Sequence, residues 1–230
     1  MYFTNTPALN SMEAIMRKLP CGSQKGGGRY RSPYKYTKEN CDCRFCLSYR
    51  KETGCTLTLC PVLDVRLSCG AAPIGEAVKA VFKDAKNTAF QKRLSQIYNR
   101  KDDADMIFQN NRHRQIFEAE RLNLRKPGKK APAVLYLLTA DKALWQKTKP
   151  FLTRYGRIDL KGVSLGDIST DGYALWKAVK ELQTGEKQIS LGELADSGII
   201  SDNAFRLIVQ AGTISRFGAA VFNNTEVRYA

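Results

Sequence analysis

Four closely spaced cysteines give this sequence its clearest chemical signal, because thiolates are strong ligands for zinc. All seven cysteines precede residue 70, and four of them form two close pairs: Cys43 with Cys46, and Cys55 with Cys60. Two thiolate pairs separated by a short loop can surround one tetrahedral zinc ion. Such a site is structural, since four protein ligands leave no position open for water. The spacing therefore predicts a zinc ion that helps a segment with little apolar core to fold.

The remaining thiols and other metals leave alternatives open. Cys41 is a possible substitute for one of the four ligands, whereas Cys21 and Cys69 are expected to be ordinary thiols. An iron–sulfur cluster also uses four cysteines, although the consecutive spacings typical of such clusters are absent. Thiols that are simply buried or free, with no metal, are a third interpretation. An odd number of cysteines and no visible secretion signal favour reduced thiols over a disulfide framework.

Cations and tyrosines surround the cysteines and predict a nucleic-acid-binding surface. Ten basic and two acidic residues lie between Arg17 and Lys51, interleaved with tyrosines. Lysine and arginine neutralise phosphates, and aromatic rings stack on unpaired bases. The alternative is that the tyrosines pack against the cysteine segment and the cations are merely solvated. The candidate contact residues are Arg29, Arg31, Tyr34, Lys35, Tyr36, Lys38 and Arg44.

The charge of the whole chain points to the same class of partner. The 230 residues include 37 basic and 22 acidic ones, a net charge of +15, of which residues 1–130 hold +13. A field of this sign favours nucleic acid, an anionic membrane surface or an acidic protein. No apolar run approaches the roughly 18 residues that a membrane span needs, and the first 20 residues lack the apolar stretch of a secretory signal. We therefore expect no membrane partner.

Motifs that would indicate catalysis are absent. The sequence has no phosphate-binding loop, no nucleophile elbow and no HExxH zinc site. Asp102, Asp103 and Asp105 could hold Mg²⁺ in a metal-dependent nuclease, although three acids between two helices are more typical of a solvated linker. The single histidine, His113, lies between two arginines and is expected to face phosphate instead of acting as a base. We expect a protein that is not an enzyme.

Apolar periodicity predicts a mainly α protein, in which a small Cys-rich zinc-knuckle module precedes a helical domain. The predicted parts are an N-terminal extension (1–20), the basic Cys-rich module (21–72) and the helical domain (73–230), with a basic linker at 125–130. Apolar residues recur at steps of three and four from Ile74 to Ile97. This pattern indicates one helix, or two that meet near Asn87.

Further helices are predicted over 110–124, 141–152, 170–182 and 202–211. Residues 134–138 fit a buried helix or a short strand, and 158–165 a short strand. Cap signals lie at Thr170 and Asp171, at Ser190 with Glu193, and at Ser201. Residues 189–209 have the outline of a helix-turn-helix. A plain packed pair is favoured there, because the second helix offers only Arg206 on its outer face.

Four stretches of the sequence are distinctive: RYRSPYKYTKENCDCRFCLSYR (29–50), LYLLTADKALW (135–145), DGYALWKAVKELQTG (171–185) and RFG (216–218). They resemble segments of a family of small, basic, Cys-rich proteins carried on integrative, conjugative and phage-like elements of anaerobic Gram-positive bacteria. The resemblance implies a cytoplasmic protein of a bacterial mobile genetic element, and it transfers no catalytic or binding residue.

Taken together, the residues and the resemblance predict a non-enzymatic, zinc-stabilised protein that binds DNA or RNA. The alternative is a protein inhibitor of a host defence system, for example an anti-CRISPR protein that binds a Cas effector, since mobile elements carry such inhibitors. A metal-dependent nuclease is a minor alternative.

Overall fold

The computed structural model describes residues 36–57, 59–98 and 107–226, together with Ser11, Ala14 and Ile15. Residues 36–230 form one compact unit and residues 1–35 another, of which only those three positions are described. Helices hold 59% of the described residues and strands 3%, so the expectation of a mainly helical protein is confirmed. The finer expectation of a zinc-knuckle module, and the division at residues 72 and 73, stay predictions.

A short hairpin leads into a series of nine α-helices within these ranges. The strands are β1 (Tyr49–Arg50) and β2 (Gly54–Cys55). The helices are α1 (Leu63–Ser68), α2 (Ile74–Phe82), α3 (Thr88–Tyr98), α4 (Asn111–Asn123), α5 (Ala131–Ala140), α6 (Lys142–Thr148), α7 (Thr170–Thr184), α8 (Leu191–Ala195) and α9 (Asp202–Phe217). Short 3₁₀ segments cover Cys43–Phe45, Lys149–Phe151 and Gly218–Glu226. No helix in these ranges is both long and apolar enough to cross a membrane.

The core is built around α5, whose ten residues are all buried. A helix that is apolar around its whole circumference must be enclosed on every side, and α4, α6, α7 and α9 pack against it. This settles the ambiguous apolar run at residues 134–138 as buried helix. Pro132 occupies the first turn of α5, where its missing N–H costs no hydrogen bond.

Helix boundaries follow the local capping signals in most places. The Asn87 side chain accepts the N–H of Phe90 at 2.9 Å, which begins α3 at the predicted break after α2. Ser190 and Glu193 form the predicted capping box of α8. Ser201 caps α9, although that helix continues to residue 217 instead of ending at 211.

Two local predictions were wrong. Ser169, not Thr170 or Asp171, caps α7. The carboxylate of Asp171 instead accepts the backbone N–H of Ser201 at 3.1 Å and its hydroxyl at 2.5 Å, and so joins α7 to the start of α9. The strand expected over 158–165 is reduced to one bridge between residues 152 and 158, because no neighbouring strand continues the pairing among the described residues.

Arg93 ties α3 to the connection between α8 and α9. Its side chain is only 6% exposed. It donates to the carbonyl oxygens of Leu194 at 2.8 Å and Ile200 at 2.6 Å, and to Asp202 Oδ1 at 2.8 Å. Arg206, expected on the outer face of α9, is instead buried. The helix-turn-helix outline is therefore part of the core, and α9 presents no row of base-reading side chains.

Replacing Arg93 with Met should lower the free energy of unfolding by about 3 kcal/mol, since two buried carbonyls lose their donor at roughly 1–3 kcal/mol each. Lys177→Met is the control: Lys177 pairs with Glu193 at 3.0 Å on a partly solvated surface, where such pairs contribute less than about 1 kcal/mol. Urea unfolding followed by circular dichroism measures both. Equal losses in the two variants would contradict the role given to Arg93.

His113 lies in the core, so the expectation that it faces phosphate was wrong. It is fully buried. Its Nδ1 accepts the backbone N–H of Gln109 at 3.2 Å, and its Nε2 lies 2.9 Å from the carbonyl oxygen of Tyr136. Because a carbonyl only accepts, Nε2 carries the proton and the ring is neutral. Burial lowers the pKa of His113 to about 4, against the opposing effect of the Tyr136 carbonyl.

The chain has one histidine, so its stability between pH 4 and 6.5 reports mainly on His113. The folded pKa is below the unfolded value, so the unfolded chain binds the extra proton in this window. The contribution of neutral His113 to the free energy of unfolding is therefore fully present above pH 6.5. It falls by about 3 kcal/mol as the pH drops to 4. In His113→Gln, urea midpoints across this range should change much less. If the urea midpoint of His113→Gln fell as much as that of the wild type, groups other than His113 would be responsible for the loss of stability.

Candidate nucleic-acid interface

The Cys-rich hairpin (residues 36–57) begins with a tight turn organised by Asp42. One carboxylate oxygen accepts the backbone N–H of Arg44 at 2.8 Å, and the other lies 2.7 Å from its guanidinium. The N–H of Cys46 donates to the carbonyl of Cys43 at 2.9 Å and closes a 3₁₀ turn. The Arg44 side chain is 76% exposed, so its pair with Asp42 is weak and exchangeable with an external anion.

The turn continues into a two-stranded antiparallel ribbon. Tyr49 lies opposite Cys55, and Arg50 opposite Gly54. Gly54 has a φ of +75°, and glycine adopts this left-handed region at little cost. The ribbon is anchored further by Thr56, whose N–H and hydroxyl both donate to the carbonyl of residue 48 at 2.9 and 3.1 Å.

Large apolar side chains of the hairpin remain in solvent. Phe45 is 75% exposed, and Leu47 is completely exposed. A ribbon with two residues in each strand has no face broad enough to bury them. Arg50 and Lys51 are exposed on the same hairpin. The hairpin therefore presents an aromatic ring and cations together.

Three of the predicted contact residues belong to this hairpin, and the structure leaves all three exposed: Tyr36, Lys38 and Arg44. The other four, Arg29, Arg31, Tyr34 and Lys35, lie outside the described residues. So do Cys21 and the acidic trio Asp102, Asp103 and Asp105. Phe45 was not among the predicted contact residues, but it is exposed, and its place inside the CxxC turn was the available signal.

The four predicted zinc ligands do not form a metal site in this structure. Cys46 and Cys55 are exposed, while Cys43 and Cys60 are half-buried. Across residues 36–57, 59–98 and 107–226, no three side chains of the metal-binding types are arranged to hold one ion. Zinc binding by these cysteines therefore stays a prediction, and it requires the thiols to move toward one another.

Two further thiols, Cys41 and Cys69, lie next to α1. Arg66 of α1 donates to Glu76 of α2 at 2.6 Å, and Cys69 lies 3.5 Å from the Arg66 carbonyl oxygen. Burial, together with a hydrogen bond to Cys69, raises the pKa of Cys41 to about 11. Cys41 is therefore a neutral thiol at pH 7, and a metal ion would have to displace a tightly held proton.

The basic linker (residues 125–130) lies against a second exposed turn, the arginine turn (residues 153–157), which was not among the predicted contact residues. The backbone N–H of Arg125 donates to the carbonyl of Arg154 at 2.8 Å. Arg154, Tyr155 and Arg157 are all exposed. The available signal was the sequence RYGR, which repeats the cation–tyrosine pattern of the N-terminal segment around a glycine.

Comparison with known proteins gives no information about function, so a proposed function has to be argued from the geometry of these surfaces. The chain matches no model of a known protein family, no curated protein and no solved structure.

Purified full-length protein should carry about one zinc ion per chain, since two cysteine pairs can supply four thiolates. Cys43→Ser should lose most of this zinc, and Cys21→Ser should keep it. Elemental analysis measures the metal. Zinc added to metal-free protein should also slow the reaction of Cys46 and Cys55 with a thiol reagent. If added zinc did not change the reaction rate of these thiols in the metal-free protein, the four-cysteine site would be refuted.

Proposed function

We propose that this chain is a non-enzymatic nucleic-acid-binding protein of a bacterial mobile element, and that the Cys-rich hairpin carries one of its contact surfaces. The cations of the hairpin meet phosphates by charge, and its exposed ring stacks on an unpaired base. The net charge of +15 supports a polyanionic partner. Zinc, where bound, would stabilise the hairpin, and the proposal does not depend on it.

The observation that carries the proposal is the exposure of Phe45 beside Arg44. A phenylalanine that is 75% exposed gains little from folding, because most of its apolar surface stays in water. Its neighbour Arg44 is exposed on the same turn, where its pair with Asp42 can exchange for a phosphate. An exposed ring and an exposed guanidinium on one turn suit a base and its phosphate better than an apolar pocket.

A second candidate function rests on the exposed aliphatic side chains. Leu47 is completely exposed, and Leu57 and Val62 are about half exposed. Aliphatic groups do not stack on bases, and exposed apolar patches mark protein interfaces. This observation favours a protein inhibitor, for example one that binds a Cas effector of the host.

The matched variants Phe45→Ala and Leu47→Ala separate the two functions. Binding of labelled duplex DNA, single-stranded DNA and RNA is measured by fluorescence anisotropy across a salt series. Phe45→Ala should weaken single-strand binding by about tenfold, the effect of one lost stacking contact. It should leave the salt slope unchanged, because the slope counts phosphate contacts. Leu47→Ala should bind like the wild type.

Absence of binding to all three nucleic acids near physiological salt would refute the proposal. Capture of a host nuclease by the wild type that persists after nucleic acid is digested, and that Leu47→Ala loses, would then support the inhibitor function.

A further inference from the structure

The basic linker and the arginine turn form one continuous cationic surface, although more than 20 residues separate them in the chain. The N–H of Arg125 donates to the carbonyl of Arg154 at 2.8 Å. The arginine turn is closed by its own bonds, from the N–H of Thr153 to the carbonyl of Arg157 at 2.8 Å and from the N–H of Gly156 to the carbonyl of Thr153 at 3.0 Å. The two loops therefore have a fixed mutual position.

Gly156 allows the arginine turn to lie very close to the start of α5. Its φ is +74°, and a Cβ placed on it would lie only 2.5 Å from the Cβ of Ala131. Ala131 is the first residue of α5. The arginine turn is thus packed directly against the start of the central buried helix, just after the basic linker ends.

Six cations share this linker–turn surface, and all are exposed: Arg125, Lys126, Lys129, Lys130, Arg154 and Arg157. Neither segment contains an acidic residue. Of the carboxylates close in sequence, Glu120 pairs with Lys149 at 2.9 Å, whereas Asp159, which accepts the backbone N–H of Lys161 at 3.2 Å, keeps its charge and offsets only one of the six cations. The positive end of the α5 dipole adds to the same field. Such a concentration of like charge favours a polyanion with closely spaced charges.

Tyr155 adds an exposed aromatic ring to this cationic surface. It lies between Arg154 and Gly156 at the tip of the turn and is 61% exposed. An exposed ring flanked by arginines can stack on a base only when that base is unpaired. The guanidinium groups meanwhile suit phosphate oxygens, which they can bind through two hydrogen bonds.

We propose that the linker–turn surface is a second nucleic-acid-binding site, which holds the phosphates of a single-stranded polynucleotide and stacks one base on Tyr155. This inference rests on the proposed function, because it assumes that the ligand is a nucleic acid. The residues of the second site are separate from those of the Cys-rich hairpin. Single-stranded RNA and DNA share this chemistry, and the experiment compares them.

The test uses the full-length protein and three variants: R154Q/R157Q, Tyr155→Leu and the control K142Q/K187Q. The control removes two exposed lysines outside the surface, and Lys142 follows the opposite end of α5. Thermal melting confirms that each variant is folded. The probes are labelled single strands of DNA and RNA of about 20 nucleotides, enough to span a typical single-strand site, with an anionic phosphatidylglycerol vesicle as a separate probe.

R154Q/R157Q should weaken single-strand binding by at least about tenfold and reduce the slope of log K against log salt by about 1.4, roughly 0.7 for each lost phosphate contact. Tyr155→Leu should weaken binding and leave the slope unchanged. The control should match the wild type in both quantities.

If R154Q/R157Q matches the control while Phe45→Ala weakens binding, the second site is refuted and the proposed function stands. If the wild type binds neither single strand, the second site is refuted, and the proposed function is refuted with it only when duplex DNA is not bound either. Binding to the vesicle alone, lost in R154Q/R157Q, would overturn the inference in favour of an anionic lipid surface.

Discussion

Enclosing α5 is the constraint on which the rest of the helical body depends. Its ten buried residues leave no face for solvent, so four helices must surround it. Its polar groups are satisfied inside this shell. The hydroxyl of Tyr136 lies 2.5 Å from the carbonyl of Ile107 and 2.7 Å from Gln210, and Thr139 donates to the carbonyl of Leu135 at 2.8 Å. Consequently, α5 itself contains no charged residue.

The Cys-rich hairpin belongs to the same unit through α1, despite having almost no core of its own. Leu63 and Leu67 of α1 form a small cluster with Ala77 of α2, against which Phe217 and Ala220 pack. The ion pair from Arg66 to residue 76 strengthens the same junction. The hairpin is therefore attached through the chain that leads into α1 and through the contact of Cys41 with Cys69, while Phe45 and Leu47 stay exposed.

Much of the fold follows from signals within single segments. The break at Asn87, the capping box at Ser190 and the cap at Ser201 depend on side chains within a few residues of the helix end, so the sequence alone located them. Asp171 misled the prediction because its partner lies 30 residues away. His113 did so because its charged neighbours in sequence are not its neighbours in space.

The candidate interface was predictable to a lesser degree. Exposed cations near the cysteines are visible in the sequence, and Lys38 and Arg44 are exposed as a contact surface requires. The union of the basic linker with the arginine turn was not predictable, because it depends on a backbone hydrogen bond between distant segments. The arrangement of thiols depends likewise on how the hairpin folds, which cysteine spacing alone does not determine.

The close contact of Gly156 with Ala131 has a thermodynamic consequence for the surface above it. The loops are held in place by the folding of the core, so much of their ordering entropy is lost before any ligand arrives, and a ligand meets a preorganised site. The same rigidity keeps the six backbone positions close together, so the repulsion between their exposed charges depends on side-chain movement and on salt. Neutralising the charges would remove this repulsion and weaken binding, an example of the trade-off between stability and function.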